Sequence, residues 1–351
     1  MRFKTIILAM VIAVAPMASS QGGAADKPPQ PVVRASAALQ VTAEVKTSLA
    51  GGLAGRVRCD AEGDIYFRPT DAETPGKYHP ISALPIRKLR SDGTLAGSFS
   101  LADAAHGLLA VDFFVTADGT VYQAARSESD HAVYVVSYSP DGALQSKVRL
   151  DGDFFIPYQI AVFKSGEVLI SGINGPYNRT PSTAVYGANG KLIREIYEPE
   201  DEDARKRAQA GEPGFRPDNI DSSNDFVVRG DAALGSDGNV YLLRAASPAL
   251  IFVISPKGEV VRKLRIEPPE SGLWAGRLKS APGTLAISFL QKGTNVGVIE
   301  VVDYLGNPTG IYAASDARIY AGLLGCYSPK RFTFLSLAAG DGLHLNTAEP
   351  K

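Results

Sequence analysis

One pattern constrains this chain more than any other: a two-turn unit that returns five times. A short apolar strand ends in a glycine turn and a second strand follows at once. After a variable gap come a third strand, a second glycine turn and a fourth strand. The first turns are Ala61-Glu62-Gly63-Asp64, Ala117-Asp118-Gly119-Thr120, Lys164-Ser165-Gly166-Glu167, Ser236-Asp237-Gly238-Asn239 and Ala281-Pro282-Gly283-Thr284. The second turns are Ser91-Asp92-Gly93, Pro140-Asp141-Gly142, Ala188-Asn189-Gly190, Pro256-Lys257-Gly258 and Tyr304-Leu305-Gly306. Glycine accepts positive φ and Asp or Asn tolerates it, so each is a hairpin signal.

The spacing turns the pattern into a fold. The two glycines of a unit lie 30, 23, 24, 20 and 23 residues apart, and the first glycines of successive units 56, 47, 72 and 45 apart. Four short strands about every 45 residues is the spacing of a propeller blade, and a sandwich does not repeat its turn chemistry in pairs. A sixth unit starts at Tyr320, turns at Ser328-Pro329-Lys330-Arg331, reaches a third strand at Leu343-His344-Leu345 and lacks a fourth. Ala38 to Leu49 precedes the first unit and has the look of that missing strand. The expectation is an all-β, six-bladed β-propeller with four antiparallel strands per blade, its ring closed by the N-terminal strand pairing with the last blade, which removes two sheet edges. Only Glu198–Arg229 is long enough to hide a seventh blade, and it lacks paired glycine turns.

The N-terminus reads as an export signal. Arg2 and Lys4 precede the apolar run Thr5–Ala15, Pro16 breaks it, and small residues follow. That run is too short to span a bilayer, so residues 1–20 are expected to be a cleaved signal peptide, 21–37 a disordered linker and 38–351 the propeller. Localisation is expected to be periplasmic or secreted, with no integral span after cleavage. Removing Arg2 and Lys4 leaves 34 basic residues against 37 acidic ones, a balance that points away from nucleic acid and anionic membrane surfaces. The chain is expected to act as a monomer.

The unit, an apolar strand, Asp-Gly as at 118–119 or 237–238, Val-Tyr as at 121–122 or 240–241, then a strand, Asp-Gly as at 141–142 and a strand, resembles NHL-type and related six-bladed propellers of bacteria over residues 38–350. The resemblance implies the fold and leaves function broad, because the repeat encodes blade packing. Such propellers include lactonases, lyases, protein-binding modules and exported proteins of unknown role.

Propeller geometry sorts the connections. The tight turns share one face, and the long loops Pro69–Pro85, Ser127–His131, Asp151–Pro157, Ile173–Pro181, Glu198–Arg229 and Glu267–Gly272 share the other, which is the expected working face. Within Glu198–Arg229, Pro199–Ala210 reads as a short helix with acids in its first turn and bases later; helix stability explains that charge run. The insertion is expected to cap or partly cover the central opening. Tyr158, Tyr177, Phe215 and Trp274 lie in or near these loops.

Aligning the units on the first-turn glycine places Arg56, Asp112, Gln159, Asp231 and Gly276 or Arg277 at one level of the innermost strands, with Leu323 in unit six. Two acids, a Gln and one or two arginines near the axis form a candidate ligand site. The chemistry elsewhere is sparse. His79, His106, His131 and His344 are scattered, and neither HExxH, CxxC nor GxSxG occurs. Calcium on Asp112 and Asp231 has no loop signature behind it, and no cofactor is expected. Cys59 lies four residues before Gly63 and Cys326 four before Lys330, equivalent positions on neighbouring innermost strands. A disulfide and two buried thiols both fit. The leading expectation is a binding or scaffold module for a protein, peptide or small polar ligand on the long-loop face. The alternative is a lyase or lactonase-like hydrolase at the central opening using Asp112, Asp231 and Arg56.

Overall fold

Glycine bounds the strands as the repeat requires. All ten turn glycines of the five units have φ between 75° and 98°, and Lys330, at the matching place in the last unit, has φ 64°. The computed structural model describes residues 36–47, 49, 52–70, 84–104, 107–127, 129–152, 155–174, 180–210, 230–291, 297–338 and 342–351. The expected signal peptide, most of the linker, His79, His106, Tyr177 and Phe215 lie outside the described residues.

The described chain is all-β and propeller-like, with very little helix. It opens with β1 (Ala37–Lys46). Four antiparallel four-stranded sheets follow in chain order. The first holds β2 to β5 (Gly52–Cys59, Ile65–Thr70, Ile86–Leu89, Leu95–Phe99) and the second β6 to β9 (Leu108–Val115, Val121–Ser127, Val133–Tyr138, Leu144–Arg149). The third holds β10 to β13 (Phe155–Val162, Val168–Asn174, Thr180–Tyr186, Leu192–Ile196) and the fourth β14 to β17 (Asp231–Leu234, Val240–Arg244, Ala249–Ile254, Val260–Ile266). The last strands are β18 to β21 (Leu273–Ala281, Thr284–Gln291, Gly297–Asp303, Pro308–Ala313) and β22 to β24 (Leu324–Ser328, Arg331–Ala338, Gly342–Pro350).

These last seven strands and β1 form one eight-stranded sheet, ordered β18-β19-β20-β21-β1-β24-β23-β22. Six separate four-stranded sheets were expected; hydrogen bonding gives four and this joined one. The join is β1 itself. It runs antiparallel to β24 from Leu39 opposite Pro350 to Lys46 opposite His344, and its first residues also lie parallel to β21, Ala37 opposite Tyr312 and Ala38 opposite Ala313. The end of the span expected to be a disordered linker is bonded to the fold: Ser36 N donates to Ile311 O at 2.8 Å.

Apolar side chains bind the sheets face to face. One cluster joins the first sheet to the second, another runs from the second through the third to the fourth, and a third links the fourth to β18–β20. A fourth links β19 and β20 to β1 and β22–β24, and the last returns from β22–β24 to the first sheet. Packing therefore closes on itself. Each fully buried Phe or Leu in it contributes on the order of 1.5–3 kcal/mol.

Second-turn glycines lock neighbouring sheets. A Cβ on Gly190 would collide with Arg149 O on the preceding sheet's outer strand, so a side chain there would push the sheets apart. Gly93 of the first sheet meets Val45 and Lys46 of β1 in the same way. The repeated tyrosine acts locally. Tyr66 Oη donates to Asp60 Oδ2 at 2.9 Å, and Tyr241 Oη to Asp237 Oδ2 at 3.0 Å, each bracing its own turn.

The helix α1 (Pro199–Gln209) forms where expected, but more than its intrinsic stability holds it. Asp201 takes Arg244 through two bonds of 2.8 and 3.0 Å, while Arg244 Nη1 and Nη2 donate at 2.9 Å to Ser171 and Thr183 of the third sheet. Arg244 is fully buried. The helix is thus pinned over the third and fourth sheets; residues 211–229, the rest of the insertion expected to cap or partly cover the central opening, lie outside the described residues.

Candidate axial site

The innermost strands carry a shared irregularity. Register shifts fall between Ala110 and Asp112, between Pro157 and Gln159, and between Ala275 and Arg277. Each shift is a bulge that re-aims the side chain after it. It also resolves the open position in β18: Gly276 is the bulged residue, and Arg277 stands opposite Ser288. In β22 the register shift falls between Leu324 and Cys326, and the hairpin turns in two residues, Ser328 opposite Arg331.

Three of the five candidate residues meet at the axis, where the side chains reach across it. Arg56 stands 3.0 Å from Asp112 Oδ1 and 3.2 Å from Asp231 Oδ1. Its Nη1 donates to Tyr158 O at 2.9 Å and its Nη2 to Gly230 O at 2.6 Å, so one side chain of the first sheet touches the second, third and fourth. Gln159 is fully buried at the same level of the third sheet. Arg277 is partly buried and donates to Gly322 O at 3.3 Å and Gly276 O at 3.1 Å.

Two cations complete the cluster and escaped the sequence reading. Arg58 lies 2.9 Å from Asp231 Oδ1 and 3.7 Å from Asp112 Oδ2, and donates to Ala232 O at 2.8 Å and Phe113 O at 3.3 Å. Lys279 Nζ donates to Val57 O at 2.6 Å and stands 3.9 Å from Asp231 Oδ2. Both lie two residues beyond a ring position, hence on the same strand face, which is the signal that would have found them.

The acids are structural ties. Asp112 Oδ2 accepts from Ile160 N at 3.1 Å, and Asp231 Oδ2 from Leu278 N at 3.1 Å. In each case an acid on one innermost strand holds the amide just past the ring position of the next. Burial alone would raise the Asp231 pKa, but the charges of Arg58, Lys279 and Arg56 outweigh it and hold the carboxyl well below its usual range. Burial lowers Lys279 to about 7, and Arg58, Arg277 and Arg56 push the same way against Asp231. Both carboxylates are thus engaged by guanidinium groups and backbone amides. Among the described residues no group of His, Cys, Asp and Glu could hold a metal ion. His344 Nδ1 lies 2.7 Å from Glu44 Oε1, tying β24 to β1.

Cys59 and Cys326 are joined as a disulfide, with Cα atoms 5.5 Å apart. Their positions are not equivalent. Cys59 stands opposite Ile65 and Cys326 opposite Thr333, and the shorter β22–β23 turn puts the two one step apart in the pleat. That offset lets them meet: facing sheets present opposite faces to one another, so partners across the seam come from opposite alternations.

No family model matches the chain, and no curated protein matches it. Solved structures do. A protein of unknown function from Dyadobacter fermentans aligns with TM-score 0.52 and 11% identity, covering 89% of this chain and 99% of that one. A gluconolactonase from Xanthomonas campestris aligns with TM-score 0.51 and 12% identity, covering 93% and 99%. At these identities the likeness concerns the fold. Among the described residues no helix is long and apolar enough to cross a membrane.

Proposed function

We propose that this protein is an exported, six-bladed, NHL-like propeller that acts as a binding or scaffold module through its long-loop face. The six-blade count reads the eight-stranded sheet as two blades, β18–β21 and β22–β24 completed by β1. Supporting it, Gly93 packs on β1 as Gly142 packs on Ser98 and Gly258 on Arg194, each against the outer strand of the preceding blade. Export rests on the basic and apolar N-terminal run and agrees with the cysteine bridge.

The observation that carries the binding role is the saturation of the axial carboxylates. Asp112 and Asp231 hold the ring together, so the axis offers a rigid hub in place of an acid–base pair. The long-loop face is then the surface free to vary, with Tyr158 and Trp274, both partly exposed, at its inner edge. The gluconolactonase likeness favours the alternative, a lactonase at the axis, through the fold alone.

Capture and turnover separate the two. Mature protein used as bait against an extract of its own compartment is expected to retain a specific partner, and Trp274→Ala with Tyr158→Ala to release it. Sugar lactones are expected to hydrolyse no faster than in buffer. Lactone turnover that disappears in Asp112→Asn would overturn the binding reading.

A further inference from the structure

Among the described residues, cations outnumber carboxylates at the axis. Arg56, Arg58, Arg277 and Lys279 surround two carboxylates, and both carboxylates are directed chiefly at Arg56 and Arg58. Arg277 meets only backbone carbonyls, through Nε and Nη1; its Nη2 has no bond among the described residues. Across the β18–β19 ladder stands Ser288, fully buried, whose hydroxyl finds no partner among the described residues. Directly paired residues share a sheet face with Cβ atoms about 5 Å apart, so the Arg277 and Ser288 side chains leave the ladder side by side. A buried hydroxyl without a partner costs about 1–3 kcal/mol.

We propose that this corner of the axis binds one small oxyanion, a carboxylate or phosphate group, held by Arg277 with Ser288 and drawn in by the cationic excess of Arg56, Arg58 and Lys279. A guanidinium edge matches a planar or tetrahedral oxyanion through charge-assisted bonds, and the hydroxyl supplies a third donor. Burial, and after it Arg58, Arg277 and Arg56, lower the Lys279 pKa against the pull of Asp231. The anion is free in solution or belongs to a larger molecule, such as an acidic sugar or a peptide carboxylate. The inference does not depend on which partner the long-loop face holds.

Calorimetric titration of the mature, disulfide-intact protein at fixed ionic strength tests it, with sodium acetate, sodium phosphate, gluconate and sodium chloride as separate arms. Saturable one-site binding of acetate or phosphate is expected. Arg277→Gln should weaken it about tenfold or more, the loss of one charge-assisted bond. Ser288→Ala removes only the hydroxyl and should weaken it less, in a protein that melts at or above the parent temperature. Arg265→Gln, an exposed arginine paired with Glu267, should leave it unchanged. Tighter binding of gluconate than of acetate would identify the larger molecule as the source, and equal binding the free anion. Absence of saturable binding in all arms, binding of chloride alone, or equal affinity in folded Arg277→Gln protein would overturn the proposal.

Discussion

At the scale of single residues, the axis shows how little separates a functional ring from a structural one. Alignment on the turn glycines put Arg56, Asp112, Gln159, Asp231 and either Gly276 or Arg277 at one level. It was not enough to say which would touch, because that depends on how far an arginine reaches across the ring. The cysteines teach the same lesson: counting back from the turn ignored the shorter β22–β23 hairpin and so missed the one-step offset that brings the sulfurs together. The bridge spans 267 residues of sequence. Chain-entropy arguments put its contribution at about 5–6 kcal/mol at most. Thiol titration of the unfolded, unreduced protein should therefore find no free thiol, and reductant or Cys326→Ser should lower the melting temperature by several degrees. Two titratable thiols, or a melting temperature indifferent to reductant, would remove the bridge from the account.

At the scale of elements, some features were legible and others were not. The helix α1 was readable because Pro199 and the acids after it mark a helix start. Its anchor was not, since Arg244 lies 43 residues after Asp201 and ends a strand that reads as ordinary. In the blade β18–β21, Glu300 breaks the apolar pattern. It stands opposite Ile287 and Ile311, both facing the fourth sheet's apolar cluster, and its Oε2 has no partner among the described residues. Burial raises its pKa from 4.5 to about 7. Over that range the folded state binds more protons than the unfolded one, so stability from this group is complete below about 4.5 and is lost as pH rises through about 7. Glu300→Gln should therefore melt like the parent at pH near 4 and a few degrees above it at pH 8. Thermal scans across pH check this; a Gln variant that gains nothing at pH 8 would show that Glu300 is ionised at no cost.

At the scale of the whole molecule, the repeat was readable because each turn needs positive φ, a demand glycine answers and Asp or Asn supports. The closing strand was readable as a strand without a hairpin partner of its own. Its contact with β21 was not, because two paired residues at a strand end leave no periodic signature. What the repeat encodes is packing around a ring, and the axial ions complete that packing. Equilibrium denaturation of Asp112→Asn/Asp231→Asn tests it most directly. Losing the anionic partners leaves Arg56 and Arg58 buried and unpaired, so the unfolding free energy should fall by about 3–5 kcal/mol, with partner capture surviving in the folded fraction. Unchanged or increased stability together with lost capture or turnover would contradict the account and make the axial carboxylates functional groups.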